Sequence, residues 1–104
     1  MSHVAPQDDE SLIGYFSPHP PGNFHAVRAG PSLDAELVGS VPTGSGAWIF
    51  HESVKEYNEM GVWGALGLAT LEAFDITAEP GHAWICIKNA EGHNLLILAS
   101  GRWR

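Results

Sequence analysis

The sequence predicts an all-β domain: a small barrel or sandwich of five to seven short strands, with one short helix or long ordered loop. Its 104 residues suit a single domain with one core. A composition of 44% hydrophobic and 16% charged residues argues against disorder. Twelve glycines and seven prolines are spread along the chain. They divide it into short apolar segments, which is typical of short strands joined by tight turns.

The first half of the chain predicts three strands. Leu12–Phe16 and Phe24–Arg28 are short apolar segments, and the three prolines between them favour an extended loop over a helix. Glu36–Val41 is a third apolar segment, ended by Pro42.

A hairpin is predicted at the centre of the chain. The first part of Ala47–Tyr57 alternates apolar and polar residues with a period near two, which favours a strand. Ser53–Glu56 also has the spacing of a helix capping box, so a short helical turn is the alternative there. Asn58–Gly61 supplies a turn, and Val62–Leu66 is the returning strand.

The second half predicts one helix and another hairpin. Apolar residues recur at three-residue spacing in Leu68–Phe74, which predicts a short helix. Ala83–Lys88 and Asn94–Leu98 flank a turn at Asn89–Gly92 and form the hairpin. Because both strands are apolar on both faces, we expect them in the middle of the sheets.

The ends of the chain are predicted to lie outside the folded part. Residues 1–11 are expected to be a flexible N-terminal tail, residues 12–101 the β domain, and residues 102–104 its C-terminal end.

Charge and hydropathy exclude several function classes. Twelve acidic residues against five basic residues give a formal net charge of −7, which disfavours a nucleic-acid partner. We find no apolar run long enough for a membrane helix and no signal peptide in the sequence, so we expect no membrane partner and slightly favour an intracellular location.

Signatures of catalysis and metal binding are weak. Cys86 lies in the middle of a predicted strand, where a packed and unreactive thiol is expected. The six histidines contain no pair at the spacing of local metal motifs, so we predict no metal, no cofactor and no catalytic residue. The alternative is a metal-dependent enzyme in which His51 and Glu52 converge with His82 or His93.

Large aromatic residues are the strongest remaining signal, because a small barrel does not enclose so many rings. Trp48 and Trp84 are expected mainly in the core, whereas Tyr15, Tyr57 and Trp63 are candidates for partial exposure.

Acidic residues near these rings suggest the type of ligand. Glu52, Glu56 and Glu59 are close in sequence to two of the rings, and cation–aromatic contact and charge steering would favour a cationic peptide. We predict that a short extended peptide lies between the 15–24 loop and the 48–63 hairpin. The predicted ligand-binding residues are Tyr15, Trp48, Glu52, Tyr57 and Trp63.

Four segments resemble bacterial-type SH3 domains. VRAGPS at Val27–Ser32, followed by LVGSVPTG at Leu37–Gly44, is similar to the start of that family. GVW at Gly61–Trp63 and GHAWI at Gly81–Ile85 resemble two of its later elements. The resemblance covers roughly residues 24–87 and implies an SH3-like barrel. The chain departs from the family in its Ala29, in a longer 66–81 connection and in apolar residues beyond the last strand.

For many members the resemblance implies recognition of a peptide or of cell-wall peptide. We therefore expect a non-catalytic module that binds a protein or peptide, and neighbouring domains of a larger protein are a further class of partner. One alternative is a peptidoglycan-targeting module of a larger hydrolase. A faint resemblance to β modules of very large eukaryotic ubiquitin ligases runs from Trp63 to Gly92.

Overall fold

The protein has an all-β fold, as predicted, in a computed structural model that describes residues 12–20, 22–57 and 59–99. The predicted tail 1–11 and the C-terminal end 102–104 lie outside the described residues. The elements are β1 Leu12–Phe16, β2 Phe24–Arg28, β3 Leu37–Pro42, β4 Gly46–Phe50, β5 Lys55–Glu56, β6 Val62–Ala65, α1 Leu68–Ala73, β7 Trp84–Lys88 and β8 Ile97–Leu98.

The strands form two antiparallel sheets. One has three strands in the order β4-β1-β8, and the other has five in the order β3-β2-β7-β6-β5. A bridge between Ile49 and Leu66 joins β4 to the end of β6. Over the described residues the result is two antiparallel sheets packed around a main core, which is consistent with a small SH3-like fold. It is not the closed barrel that the sequence suggests.

Strand bounds agree with the predicted ones to within one residue, except in the centre of the chain and at β8, which begins at Ile97 instead of Asn94. In the centre, β4 ends at Phe50, a 3₁₀ turn covers His51–Ser53, and the two-residue β5 follows. The Ser53 hydroxyl stabilises this break, because it donates a 2.6 Å hydrogen bond to the Phe50 carbonyl. The helical alternative at Ser53–Glu56 is therefore wrong: the 3₁₀ turn ends at Ser53, and Lys55–Glu56 form β5.

The predicted hairpin of the last two segments forms only next to its turn, where Lys88 and Asn94 make one antiparallel bridge. β7 lies in the middle of the five-stranded sheet as expected, but β8 pairs with β1, where Leu98 lies opposite Tyr15. The chain turns away from β7 because the N–H groups of Leu95 and Leu96 both donate to the Ile87 carbonyl, at 2.7 and 3.1 Å. This bend buries the Leu96 side chain in the core and places β8 at an edge of the smaller sheet.

The main core lies between the two sheets and under α1. Val27 of β2, Ile85 of β7 and Ile49 of β4 are all buried in it. Gly64 lets the sheets approach closely, since a Cβ there would lie 2.5 Å from Cγ2 of Ile49. The other buried residues of the main core are Val41, Ala47, Leu66, Leu71, Ile76, Ala83, Ile87 and Leu96.

The helix α1 closes one end of this core. Leu71 points into the core, and the Thr70 hydroxyl accepts a 2.7 Å hydrogen bond from the backbone N–H of Trp48 in β4.

No helix among the described residues is long and apolar enough to cross a membrane.

Candidate functional site

The outer face of the five-stranded sheet is where the candidate site lies. Residues directly opposite each other on paired strands point to the same face. Arg28, Trp84 and Ala65 therefore form one row across β2, β7 and β6, and Cys86 and Trp63 form the next row. These side chains point away from the main core.

A groove of about 490 Å³ lies over this face. Trp63 and Cys86 are part of its lining, and the turn before β6 and the segment after β7 border it. Most of the lining residues are apolar; together they are Phe24, His25, Ala26, Arg28, Leu33, Glu59, Met60, Trp63, Cys86, Asn89, Ala90 and Leu95.

Large apolar side chains stand exposed beside the groove. Phe24 is 68% exposed and Leu33 is 59% exposed, and both line it. Leu37, at 60%, lies opposite Arg28 and so faces the same side of the sheet. Three of the six exposed large hydrophobic residues among the described residues thus lie on one side of the molecule.

Two charged residues of opposite sign line the groove. Nη1 of Arg28 donates a 3.1 Å hydrogen bond to the Ala35 carbonyl, and the other guanidinium N–H groups have no partner among the described residues. Glu59 is exposed and adopts a φ of 62° in the turn between β5 and β6. The groove is apolar with one charge of each sign, not the acidic groove that the sequence predicts.

The structure brings one predicted site residue, Trp63, into this groove. Trp63 is only 1% exposed, so the expected partial exposure of its ring is wrong. Its indole N–H donates a 2.8 Å hydrogen bond to the Met60 carbonyl, which fixes the turn at the rim of the groove.

A second cluster, separate from the main core, is aromatic. It contains another predicted site residue, Trp48, together with Trp84. Both rings are half-buried against Leu12, Phe50 and Ala65, instead of lying mainly in the main core as expected. Gly14 leaves room for the Trp48 ring, because a Cβ at that position would lie 2.8 Å from Trp48 Cζ3.

Tyr57, the residue that follows β5, contacts this second cluster. Its ring stands edge-on to Trp84, with the ring centroids 5.3 Å apart, and its hydroxyl donates a 2.7 Å hydrogen bond to the Ser53 carbonyl. Burial raises the pKa of the Tyr57 hydroxyl.

The last two predicted residues lie apart from the groove. Glu52 is exposed in the 3₁₀ turn. Tyr15 is on the inner side of β1, half-buried against the main core, and burial raises the pKa of its hydroxyl. The predicted set therefore does not line one common groove.

Cys86 differs from the expected buried thiol, since it is half-buried and lines the groove. Burial raises the pKa of the Cys86 thiol. Its Sγ also donates a 3.4 Å hydrogen bond to the Lys88 carbonyl. The thiol therefore stays protonated at neutral pH and is a weak nucleophile.

Sequence reasoning missed the exposed residues of the groove. The period-two pattern of β2 puts Phe24, Ala26 and Arg28 on one face and His25 and Val27 on the other. This pattern is visible in the sequence, but it does not say which face the rest of the chain covers.

A histidine pair lies at the start of β2, and no local pattern in the sequence indicates it. Nε2 of His25 lies 2.9 Å from Oγ of Ser17, and the ring of His19 lies 5.8 Å from the His25 ring. Burial and, secondly, the nearby His19 lower the pKa of His25.

The predicted alternative with His51, Glu52 and His82 or His93 does not form. Within residues 12–20, 22–57 and 59–99, no three His, Cys, Asp or Glu residues lie close enough together to share a metal ion.

Comparisons of the chain with protein families, with curated proteins and with solved structures found no match. The fold itself is that of a small all-β domain. The resemblance to bacterial-type SH3 domains stays a prediction.

Proposed function

We propose that this protein is a non-catalytic interaction module that binds a short extended peptide of another protein in the outer-face groove. The clustering of Phe24, Leu33 and Leu37 carries this proposal. A small protein exposes several large apolar side chains on one face at a cost in solubility, and such patches typically mark binding surfaces.

The size of the groove suits this ligand. A volume of about 490 Å³ falls in the usual range of ligand pockets. Alternate side chains of an extended peptide are about 7 Å apart and point the same way. Two apolar side chains of the peptide would contact Phe24, Leu33 and Leu95, with Trp63 beneath them.

The charged residues at and near the groove indicate which polar groups the ligand carries. Glu59 lies at the groove, and Glu52 and Glu56 are exposed on the preceding segment of a chain with net charge −7. A Lys or Arg of the peptide beside Glu59 would be attracted to this side. The unpartnered N–H groups of Arg28 suit a carbonyl or carboxylate of the peptide at the other end.

A peptide library titrated into ¹⁵N-labelled protein tests the proposal. Peptides with two apolar residues and one basic residue should shift the amide signals of residues 24–28, 59–63 and 86–90. Phe24→Ser should weaken the best peptide at least about tenfold, since it removes an exposed apolar contact. Leu98→Ser is the matched control, because Leu98 is 58% exposed on the other sheet, and its Kd should stay unchanged.

Two further measurements show whether the peptide occupies the groove and whether it leaves intact. Bound peptide should slow alkylation of Cys86, which lines the groove, and mass spectrometry should recover the peptide uncleaved. The proposal fails if Phe24→Ser and Leu98→Ser weaken binding equally, or if the shifts are confined to β1 and β4. Saturable binding to purified peptidoglycan that survives Phe24→Ser would favour the cell-wall alternative instead.

A further inference from the structure

The groove contains one permanent positive charge that no acidic residue among the described ones neutralises. Arg28 is the only Lys or Arg among the described residues that line the groove. It forms no ion pair with any Asp or Glu of the described part of the chain. In a chain with twelve acidic residues and a net charge of −7, this half-buried guanidinium is left free to bind an anionic group of a ligand.

The Arg28 side chain is held in place by the loop that follows β2. Its Nη1 donates the 3.1 Å hydrogen bond to the Ala35 carbonyl. The loop is closed at its base by the N–H of Ala29, which donates to the Glu36 carbonyl at 2.7 Å. Because the described residues use only one N–H of the guanidinium, its other N–H groups can donate to both oxygens of a carboxylate.

The same loop borders the groove at the Arg28 end. It carries Leu33, which is 59% exposed and lines the groove. A peptide that runs along β2 toward Arg28 therefore meets this loop directly beyond the guanidinium. Such a position suits the last residue of a peptide, whose carboxylate is the end of its chain, better than an acidic side chain within a longer peptide.

The negative charge of the groove lies at its other end. Trp84, the first residue of β7, lies opposite Arg28. The turn that carries Glu59 packs beyond the last residue of β7, since a Cβ at Gly61 would lie 3.0 Å from Cα of Asn89. β7 has five residues, so the two ends of the groove are roughly 13 Å apart at a rise of about 3.3 Å per residue.

We propose that the groove binds the free C-terminal end of another protein, with the terminal carboxylate on Arg28. This inference rests on the proposed function and adds the direction of the peptide to it. An apolar last residue contacts Leu33. A basic residue about four positions earlier reaches Glu59, because four residues of an extended chain also span roughly 13 Å. Between them, the small and exposed Ala26 leaves room for the peptide backbone.

Two matched series of acetylated hexapeptides test the proposal by calorimetric titration. Both have leucine as the last residue and lysine four positions before it, with the other positions varied. One series ends in a free carboxylate and the other in an amide. The acids should bind at least about tenfold more tightly, because the amides lose charge-assisted hydrogen bonds to Arg28. A third series, with two glycines added after the leucine, should bind as weakly as the amides.

The ratio of the acid and amide dissociation constants is then measured in two variants. In Arg28→Gln the two peptides should bind equally, and this ratio is insensitive to a general weakening of the groove. Lys55→Gln is the matched control, because Lys55 is an exposed cation on β5 that does not line the groove, and it should keep the full preference for acids. Each variant is first checked for native amide shifts.

The outcomes separate this inference from the proposed function. If acids and amides bind equally and Phe24→Ser weakens both, the carboxylate site is refuted and the peptide groove stands. A preference for acids that survives Arg28→Gln also refutes the site. Tight binding of amidated peptides with aspartate after the leucine would overturn it in favour of an acidic side chain. Absence of binding in every series would refute the peptide groove itself.

Discussion

At the scale of single residues, Ser53 connects three parts of the fold. Its hydroxyl donates to the Phe50 carbonyl and accepts the N–H of Ala65 at 2.8 Å, and its own carbonyl accepts the Tyr57 hydroxyl. β5 ends its pairing with β6 at Trp63, so Ala65 has no strand partner on that side. The serine hydroxyl takes the place of the missing strand.

Ser53→Ala should lower the free energy of unfolding by about 1–3 kcal/mol, because it leaves the buried N–H of Ala65 without an acceptor. Tyr57→Phe is the matched control; it removes only one hydroxyl bond and should cost about 0.5–1.5 kcal/mol. Urea unfolding measures both. Equal losses in the two variants would show that Ser53 does not have this bridging role.

At the scale of elements, α1 ends in a motif that the sequence hides. The N–H of Ile76 donates to the Leu71 carbonyl at 2.9 Å, and the N–H of Asp75 donates to the Glu72 carbonyl at 3.4 Å. These are the two bonds of a Schellman motif, which is usually completed by glycine in the left-handed conformation. Here Asp75 occupies that position, with a φ of 58°.

Asp75→Val should destabilise the protein by about 1–2 kcal/mol, since a β-branched side chain is strained in the left-handed region. Asp75→Gly should be at least as stable as the unmodified protein because glycine adopts this conformation without strain. Thermal and urea unfolding compare the two. If valine is tolerated as well as glycine, the left-handed end of α1 is not maintained in solution.

The same helix shows how far local patterns reach. The three-residue apolar spacing predicted α1 with an error of one residue, because the buried stripe of a helix is a local property. The left-handed conformation in which the helix ends was not predictable, since Asp75 lacks the glycine signal. The pairing of β8 was missed for a different reason: it depends on the carbonyl of Ile87, which lies on the far side of the turn from the segment that it redirects.

At the scale of the whole molecule, the two sheets approach each other at Gly64. A Cβ there would lie 2.5 Å from Cγ2 of Ile49 and 3.1 Å from Cδ1 of Ile87. The distance between β4 and β6 therefore depends on the absence of one side chain.

Gly64→Ala should cost about 1–3 kcal/mol of stability by overpacking the core. Gly30→Ala is the control: its Cβ would have only Ala35 nearby, at 3.7 Å, so it should be neutral or slightly stabilising. Unfolding in urea measures the difference between them. A Gly64→Ala protein as stable as Gly30→Ala would mean that the sheets are less closely packed in solution.

The candidate site could be predicted only in part, and Trp63 illustrates why. Its place in a hairpin strand followed from local alternation and turn residues, and it does line the groove. Its 1% exposure depends on the Met60 turn folding back over the ring. Phe24 was overlooked because an apolar residue at the start of a strand is as compatible with the core as with the surface.

The sequence by itself determined the short strands and the helix within the long 66–81 connection, because these depend on residues near one another in the chain. Only the tertiary structure decided which sheet face is left open, which rings are buried and which histidines meet. Those properties arise when segments far apart in sequence compete to cover the same surface, and no local pattern records the outcome of that competition.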